Sequence, residues 1–173
     1  MLPPMTEWNL APKPVADSQV VLAELMTIVD TNVAGIVHGG TIMKLVDTAA
    51  GLAAIKHSGG MCVTVSLDEM SFLEAVHVGD VVTVKASVND VGTTSLEVGV
   101  RVEAENYVTH DRVHTSSAYL VFVALDEQGR PRPVPPVQPV TEDELRRQRE
   151  AKLRREVRLA HKRAIAEGRS AEA

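Results

Sequence analysis

The sequence predicts an α+β domain in which an antiparallel sheet wraps around one long buried helix, with a helical extension at the C-terminus. Three observations predict this fold. Residues 41–57 are apolar on nearly all sides and lack proline, four segments rich in Val and Thr follow them, and a capping pattern opens at Thr141 after a proline-dense stretch. The chain, of 173 residues, has room for one such domain and an extension.

Before the long helix, the chain divides into an arm, a strand and a loop. Residues 1–17 hold four prolines and show no periodicity, so we predict a loose arm there. The apolar, partly β-branched stretch from Val20 to Val29 predicts the first strand. Residues 30–40 are rich in turn formers and predict a loop.

The segment from Thr41 to His57 predicts a buried helix, because Ala and Leu are frequent and no face is consistently polar. Ser58-Gly-Gly60 ends it in the manner of a C-cap. Four strands are predicted next, separated by turn signals: Met61–Asp68, Val81–Val91, Thr94–Asn106 and Arg112–Leu125. Such a sheet has an exposed edge, so two chains are expected to pair edge to edge.

The C-terminal part reads as a connector followed by a helix. Residues 130–140 are dense in proline and predict an extended segment. Thr141 and Glu144 have the spacing of a capping box that opens a helix. One apolar stripe of this helix holds Leu145, Leu153, Val157, Ala160 and Ala164. We therefore divide the chain into an arm (1–17), a domain (18–129), a connector (130–140) and a basic helical tail (141–173).

Charge is distributed unevenly along the chain. Residues 1–140 carry 8 basic and 16 acidic residues, whereas residues 141–173 carry 10 basic and 7 acidic ones. An acidic body argues against a nucleic-acid partner, and the interleaved acids weaken that interpretation for the tail. The charges instead predict a tail helix docked on the acidic body, where it would modulate assembly rather than chemistry. A solvated, partly frayed tail is the alternative.

The sequence also predicts a cytoplasmic protein with no membrane partner. Its one cysteine, Cys62, cannot support a disulfide framework, and its apolar neighbours indicate a core position. The first residues lack the charged region and apolar run of a signal peptide. The most apolar segments are too short, or carry Lys and Asp, to predict a membrane span.

Asp47 is the most informative residue for chemistry, because it lies in the middle of the predicted buried helix. An ionised carboxylate there costs several kcal/mol, to an order of magnitude, unless it is paired or opens onto a polar cavity. It could be a general base or a nucleophile in a partly apolar site. The structural alternative places Asp47 on a solvated stripe with Lys44 and Thr48.

The loop before the helix supplies further candidates. Gly39 and Gly40 allow close approach of a ligand, and the first turn of the helix offers N–H groups suited to an oxyanion. Asn32 and His38 lie in the same loop. Taken singly, Asn32 is better explained as a turn former and His38 as a packed or solvated side chain.

Several common constellations are absent from the sequence. It contains no G-x-S-x-G, no phosphate-binding P-loop and no G-x-G-x-x-G after a strand, and its six histidines lack metal-ligand spacing. We therefore expect carboxylate-driven chemistry with no cofactor and no metal.

The ordered set Asp30-Thr-Asn32, Gly35, His38-Gly-Gly40, Met43 and Asp47 resembles the opening of the hotdog-fold acyl-CoA thioesterases of the YciA-like and brain acyl-CoA hydrolase group. The similarity continues, over roughly residues 18–136, through these segments: Thr64-Val-Ser, Phe72-Leu73, Val78-Gly-Asp80, Gly92-Thr-Thr-Ser95, and Phe122-Val-Ala with Asp126 and Gly129. One departure is Glu74-Ala75, where the family often has a basic residue and proline; it puts phosphate contacts there in doubt.

The resemblance implies hydrolysis of acyl-CoA to free acid and CoA by a homo-oligomer, a dimer of hotdogs commonly assembled as a trimer of dimers. It implies that Asp47 is the catalytic carboxylate, that Asn32 reaches the site from the neighbouring subunit, and that the Gly40 amide polarises the thioester. Contacts to substrate or CoA are expected from His38, Gly39, Thr64, Gly92, Thr94 and Ser95. A hotdog protein that binds acyl-CoA without turnover, as a sensor or assembly module, is the alternative.

Overall fold

The computed structural model describes residues 8–171, with side chains up to residue 169. Its strands are β1 (Lys13–Pro14), β2 (Val20–Leu25), β3 (Cys62–Phe72), β4 (Asp80–Val91), β5 (Ser95–Asn106), β6 (Arg112–Ala124) and β7 (Val137–Gln138), and its helices are α1 (Gly39–Ser58) and α2 (Glu142–Ala171). In this described part, neither helix combines the length and the apolar character needed to cross a membrane.

Five strands form one antiparallel sheet in the order β2-β4-β5-β6-β3, so β2 and β3 are its edges. Helix α1 lies against one face of this sheet. The middle of its contact side holds four small residues with no exposed surface, Ala49, Ala50, Ala53 and Ala54, which allow the helix axis to approach the strands closely. The predicted fold class, a sheet around a long helix with a C-terminal helical extension, is confirmed.

The boundaries of three elements differ from the prediction by two residues or more; one is β3, which was predicted to end at Asp68 and continues to Phe72. The first strand ends at Leu25 rather than Val29, because the chain leaves the sheet in a 3-10 turn, Ile28–Asp30. Helix α1 begins at Gly39, two residues early, because the His38 side chain caps it. It ends as predicted at a left-handed Gly59, with φ of 76°.

The proline-dense connector and the end of the arm are packed on the body. Val134 and Val137 are buried, and β7 pairs in parallel with β1. Arg132 is also buried: its guanidinium donates to the carbonyl oxygens of Leu125, Pro133 and Ser58, and it stacks on the Trp8 ring at 3.6 Å. The prediction of a loose arm is therefore wrong from Lys13 onward, and residues 1–7 lie outside the described part.

Helix α2 covers the sheet face opposite α1. On β5, Leu96 and Val98 belong to the core around α1, whereas the intervening Glu97 pairs with Arg154 of α2. The apolar stripe of α2 is not its contact face, since Leu153 and Val157 are 61% and 69% exposed. Instead the helix packs through a face that holds Gln148, Ala151, Arg154, Arg155 and Arg158, because the strands beneath present carboxylates.

Candidate active site

The candidate site begins with a contact between α1 and β3. The Asp47 side chain projects from the middle of α1, and its Oδ1 accepts a hydrogen bond of 2.8 Å from Thr64 Oγ1. Thr64 is held in place by its pairing with Phe122 on β6. Gly51, one turn after Asp47 on α1, lies over the Phe122 ring. The same packing therefore fixes the helix and the strand that carry the pair.

In one chain Asp47 is exposed, and so are Lys44 and Thr48 beside it. The structural alternative, a solvated stripe on the long helix, therefore describes the isolated subunit correctly. The same helix, however, also exposes three large apolar side chains: Met43 (44%), Leu52 (41%) and Ile55 (42%). Apolar residues grouped around a carboxylate are characteristic of a surface that a partner covers rather than of a purely solvated face.

The loop that carries Asn32 is fastened by its own backbone. The His38 N–H donates to the Asp30 carbonyl at 2.7 Å, and the Asn32 N–H donates to the Ile36 carbonyl at 2.8 Å. Asn32 Oδ1 accepts from the Ala34 N–H at 2.8 Å. Among residues 8–171, the Asn32 side-chain NH₂ group has no acceptor, so it is available to a ligand.

The start of this loop is anchored by Asp30, whose carboxylate accepts from both the N–H and the hydroxyl of Thr27. These two hydrogen bonds, that from the N–H foremost, hold the pKa of the Asp30 carboxyl below its usual range. A capping box formed by Thr27 and the Asp30 carboxylate therefore fixes the start of this loop.

Asn32 lines a cavity of about 400 Å³, a volume typical of small-molecule sites. Its other walls are mostly apolar and include Ile36, Gly39, Phe72 and Leu73. Asp47 is not among the lining residues, and it lies about 12 Å further along α1 than Gly39, at 1.5 Å per residue. A single chain thus brings Asp47 and Thr64 together but leaves Asn32 in a separate cavity.

The first turn of α1 contains the two glycines. His38 Nδ1 accepts a hydrogen bond of 2.8 Å from the Gly40 N–H, so in this state that N–H is not free. A Cβ at position 40 would lie 2.8 Å from the His38 ring, which explains why the cap needs glycine there. The N–H of Gly39 has no acceptor within the described residues and points out of the helix start.

Gly92 and Thr94 lie in the turn between β4 and β5, and Ser95 is the first residue of β5. The Gly92 N–H donates to the Ser95 carbonyl at 2.7 Å, and the Thr94 carbonyl accepts from the Ala124 N–H at 3.0 Å. Gly92 lies beneath the Arg155 guanidinium of α2. In one chain this turn makes no hydrogen bond to Asp47 or to Asn32.

Two features of the site were missed from the sequence. One is the capping of Gly40 by His38, although a polar residue directly before a helix is a recognised signal. The other is the pairing of Thr64 with Asp47, which Thr64 was not expected to make and which no spacing rule between a helix and a strand predicts. Within the described residues, no three His, Cys, Asp or Glu side chains form a group that could hold a metal ion.

Comparison with known proteins places this geometry in a family. The family model described as the Thioesterase superfamily matches residues 34–109. A hexameric acyl-CoA thioesterase solved in its apo form is 39% identical, with a TM-score of 0.85 over 89% of this chain and 97% of that one. The chain belongs to the thioesterase superfamily. The resemblance inferred from the sequence motifs is confirmed.

Two other members of the superfamily are similar over most of this chain. The acyl-CoA hydrolase of Staphylococcus aureus, solved with butyryl-CoA, CoA and CoA disulfide, is 33% identical, with a TM-score of 0.83 over 92% of this chain and 96% of that one. A mouse protein named cytosolic acyl coenzyme A thioester hydrolase is 36% identical over 148 residues, which are 84% of this chain but 39% of the mouse protein.

Variants of the S. aureus enzyme bear on the site of this thioesterase-superfamily chain. Three of its structures each carry one alanine substitution: one of an asparagine, one of an aspartate 15 positions later and one of a threonine 17 positions after the aspartate. Asn32, Asp47 and Thr64 are separated by the same 15 and 17 positions.

Proposed function

We propose that this protein hydrolyses acyl-CoA thioesters to a free carboxylic acid and CoA. The observation that carries the proposal is the Asp47–Thr64 pair, an exposed carboxylate held by a hydroxyl on a thioesterase-superfamily fold. The spacing of Asn32, Asp47 and Thr64, shared with three substituted positions of a CoA-binding hydrolase, supports it. Residues 18–129 contain all three residues and form the proposed catalytic domain.

Asp47 supplies the reactive carboxylate. Thr64 occupies one lone-pair direction of Oδ1 and fixes the carboxylate plane, which leaves Oδ2 free. That oxygen can take a proton from a water molecule that attacks the thioester carbonyl, or it can attack the carbonyl itself to form a mixed anhydride that water then cleaves. In both cases the thiolate of CoA departs and is protonated, and the acyl group leaves as the acid.

The thioester oxygen gains negative charge in either route, and the start of α1 in the subunit that supplies Asn32, where Gly39 lines the same cavity, offers donors to it. The Gly39 N–H is free, and the Gly40 N–H becomes free when the His38 ring turns away. The partial positive charge at the helix N-terminus adds to these donors. Binding of the thioester and release of the His38 cap are therefore linked steps in this proposal.

The complete site is composite, formed by Asn32 of one subunit and Asp47 of another. Support comes from their separation within one chain and from the free Asn32 NH₂ group. Strand β3 is an unpaired edge with exposed Val63, Val65 and Leu67. Two β3 strands that pair would bury these residues and bring the exposed side of each α1 to the partner. We propose such dimers, assembled as trimers of dimers, as the resemblance implies and as a hexameric relative supports.

Contacts to the substrate or to CoA are proposed for His38, Gly39, Thr64, Gly92, Thr94 and Ser95. His38 and Gly39 lie at the start of α1, and Thr64 lies beside Asp47. The turn that holds the last three contacts α2 in its own chain, so its contact with CoA would be to a molecule bound in a neighbouring subunit's site. We also propose a cytoplasmic location, which the name of the cytosolic mouse relative supports.

The test is release of free thiol from a series of acyl-CoA esters, from acetyl to palmitoyl. The wild-type protein should hydrolyse part of the series, and Asp47→Asn should lower kcat at least about 10²-fold, as is typical for loss of a catalytic acid or base. Asp111→Asn, at an exposed loop carboxylate, is the matched control and should leave kcat unchanged. Binding of acyl-CoA without turnover by the wild type would instead favour the non-catalytic acyl-CoA-binding alternative.

A further inference from the structure

The edge strand β3 is irregular where it carries the candidate site. Its pairing with β6 shifts register twice, between Thr64 and Ser66 and again between Leu67 and Glu69, so Val65 and Asp68 are extra residues. Such bulges bend a strand and redirect its side chains. Thr64 stands directly before the first bulge, and therefore its distance from Asp47 depends on how the bulges are held.

The side chain of Asp68 holds both bulges together. Its Oδ1 accepts a hydrogen bond of 2.6 Å from Ser66 Oγ, and its Oδ2 pairs with Arg158 Nη1 of α2. The Asp68 and Arg158 side chains are 11% and 17% exposed. A largely buried ion pair thus links the C-terminal helix to the segment next to Thr64.

A second ion pair docks the same helix, and its carboxylate lies on β5 rather than on β3. Arg154, one turn before Arg158, pairs with Glu97 at 2.7 Å, and their side chains are 19% and 5% exposed. Glu97 lies on β5 in the middle of the sheet, and Arg154 also stacks on Tyr119 at 3.6 Å. Arg154 thus attaches α2 to β5 and β6 in the middle of the sheet, and Arg158 contacts the bulged edge strand β3.

We propose that Arg158 and Asp68 are positioning residues for the thioesterase reaction. Through the Asp68 carboxylate, Arg158 fixes the bulges of β3 and so keeps Thr64 Oγ1 against Asp47 Oδ1. The C-terminal helix thereby acts on the chemistry and not only on assembly. The same restraint sets the register of β3 against a second β3 strand in the proposed dimer. This inference rests on the proposed function.

The test compares two arginines of α2 with the same substitution. Arg158→Met should lower kcat about tenfold or more, because small misplacements of catalytic groups have large effects on rate, and should leave KM nearly unchanged. Asp68→Asn should act in the same direction, and Arg158→Lys, which keeps the charge, should retain most of kcat. Arg154→Met should lower the melting temperature at least as much as Arg158→Met while kcat, measured well below melting, stays near the wild-type value.

A double-mutant cycle identifies the route of the effect. If Arg158 acts through Thr64, Thr64→Val combined with Arg158→Met should be no slower than Thr64→Val alone. A crystal structure of Arg158→Met should show Thr64 Oγ1 moved out of hydrogen-bond distance from Asp47 Oδ1, a readout independent of turnover. Full activity of a folded Arg158→Met protein, effects that multiply in the cycle, or an unmoved Thr64 would each overturn the proposal and leave the proposed function standing. A wild-type protein inactive on every acyl-CoA would overturn both.

Discussion

The buried ion pair between Glu97 and Arg154 attaches α2 to the sheet, and its loss should lower the free energy of unfolding by a measurable amount. Glu97 accepts from Arg154 through both carboxylate oxygens, at 2.7 to 3.3 Å, and from Asn89 Nδ2 at 3.2 Å. Arg154→Met removes the arginine donors and the contact with the Tyr119 ring, and it leaves a carboxylate that is 5% exposed with one amide donor. Removing one partner of a buried pair typically costs 3–5 kcal/mol.

Because the Arg154 side chain retains 19% exposure, water can reach part of the site. We therefore expect the low end of that range, a loss of about 3 kcal/mol in the free energy of unfolding. The assay is urea unfolding followed by far-UV circular dichroism at one protein concentration, with an unchanged slope against urea. Arg154→Met with Glu97→Leu should recover most of the loss, since an apolar pair of similar volume can replace a buried ion pair.

The matched control is Arg146→Met on the same helix. Arg146 pairs with Asp143 and Glu150 in solvent, and exposed pairs of this kind contribute little. Its stability should stay close to the wild-type value. If Arg154→Met were as stable as Arg146→Met, or if the double variant were less stable than Arg154→Met alone, burial of the ion pair would not be what holds α2 to the sheet.

Three further predictions concern stability. Burial lowers the pKa of His57 below its ordinary value of 6.5, so as pH falls through 6.5 the unfolded chain takes up a proton that the folded chain excludes. The free energy of unfolding of the wild type should therefore drop between pH 7 and 5.5, and it should drop less steeply in His57→Gln. The control His161→Gln, at an exposed histidine, should follow the wild type. Gly59→Ala should cost about 1 kcal/mol because φ is 76° there, whereas Gly168→Ala, with open space around it in α2, should not lower stability. A chain ending at Val140 uncovers buried Asp90 and Glu97 and should melt at a lower temperature, with a lower kcat if Arg158 positions the site.

The fold was predictable because its strongest signals are local. An apolar stretch with alanines on one side can only be a buried helix, and Val- and Thr-rich segments between turn residues mark each strand. The capping box at Thr141 and Glu144 marked the start of α2, and both hydrogen bonds of the box form. Strand order and the bulges of β3 were not predictable, because they depend on packing between segments far apart in the chain.

The docking of α2 was predictable from charge and not from hydrophobic periodicity. Leu153 and Val157 stay exposed, whereas the sheet surface beneath α2 carries carboxylates, so arginines at helical spacing form the contact that the opposite charges of body and tail predicted. The charge balance between body and tail predicted that the tail helix docks on the body, whereas the apolar pattern within the tail did not indicate its contact face. For the site, motif resemblance named Asp47, Asn32 and Thr64. The His38 cap had only the signal of a polar residue before a helix, and the contact of Arg158 with Asp68 joins segments 90 positions apart, which no local pattern predicts.

The central claim is that an acyl-CoA thioesterase site forms from Asn32 of one subunit and Asp47 of another. Mixing inactive Asn32→Ala and Asp47→Ala proteins under conditions of subunit exchange tests it most directly. A mixed dimer then holds one intact and one doubly altered site, so a 1:1 mixture should recover about a quarter of wild-type activity for dimers with twofold symmetry. If native mass spectrometry shows mixed dimers while hydrolysis stays at the level of the parent variants, the composite site is contradicted.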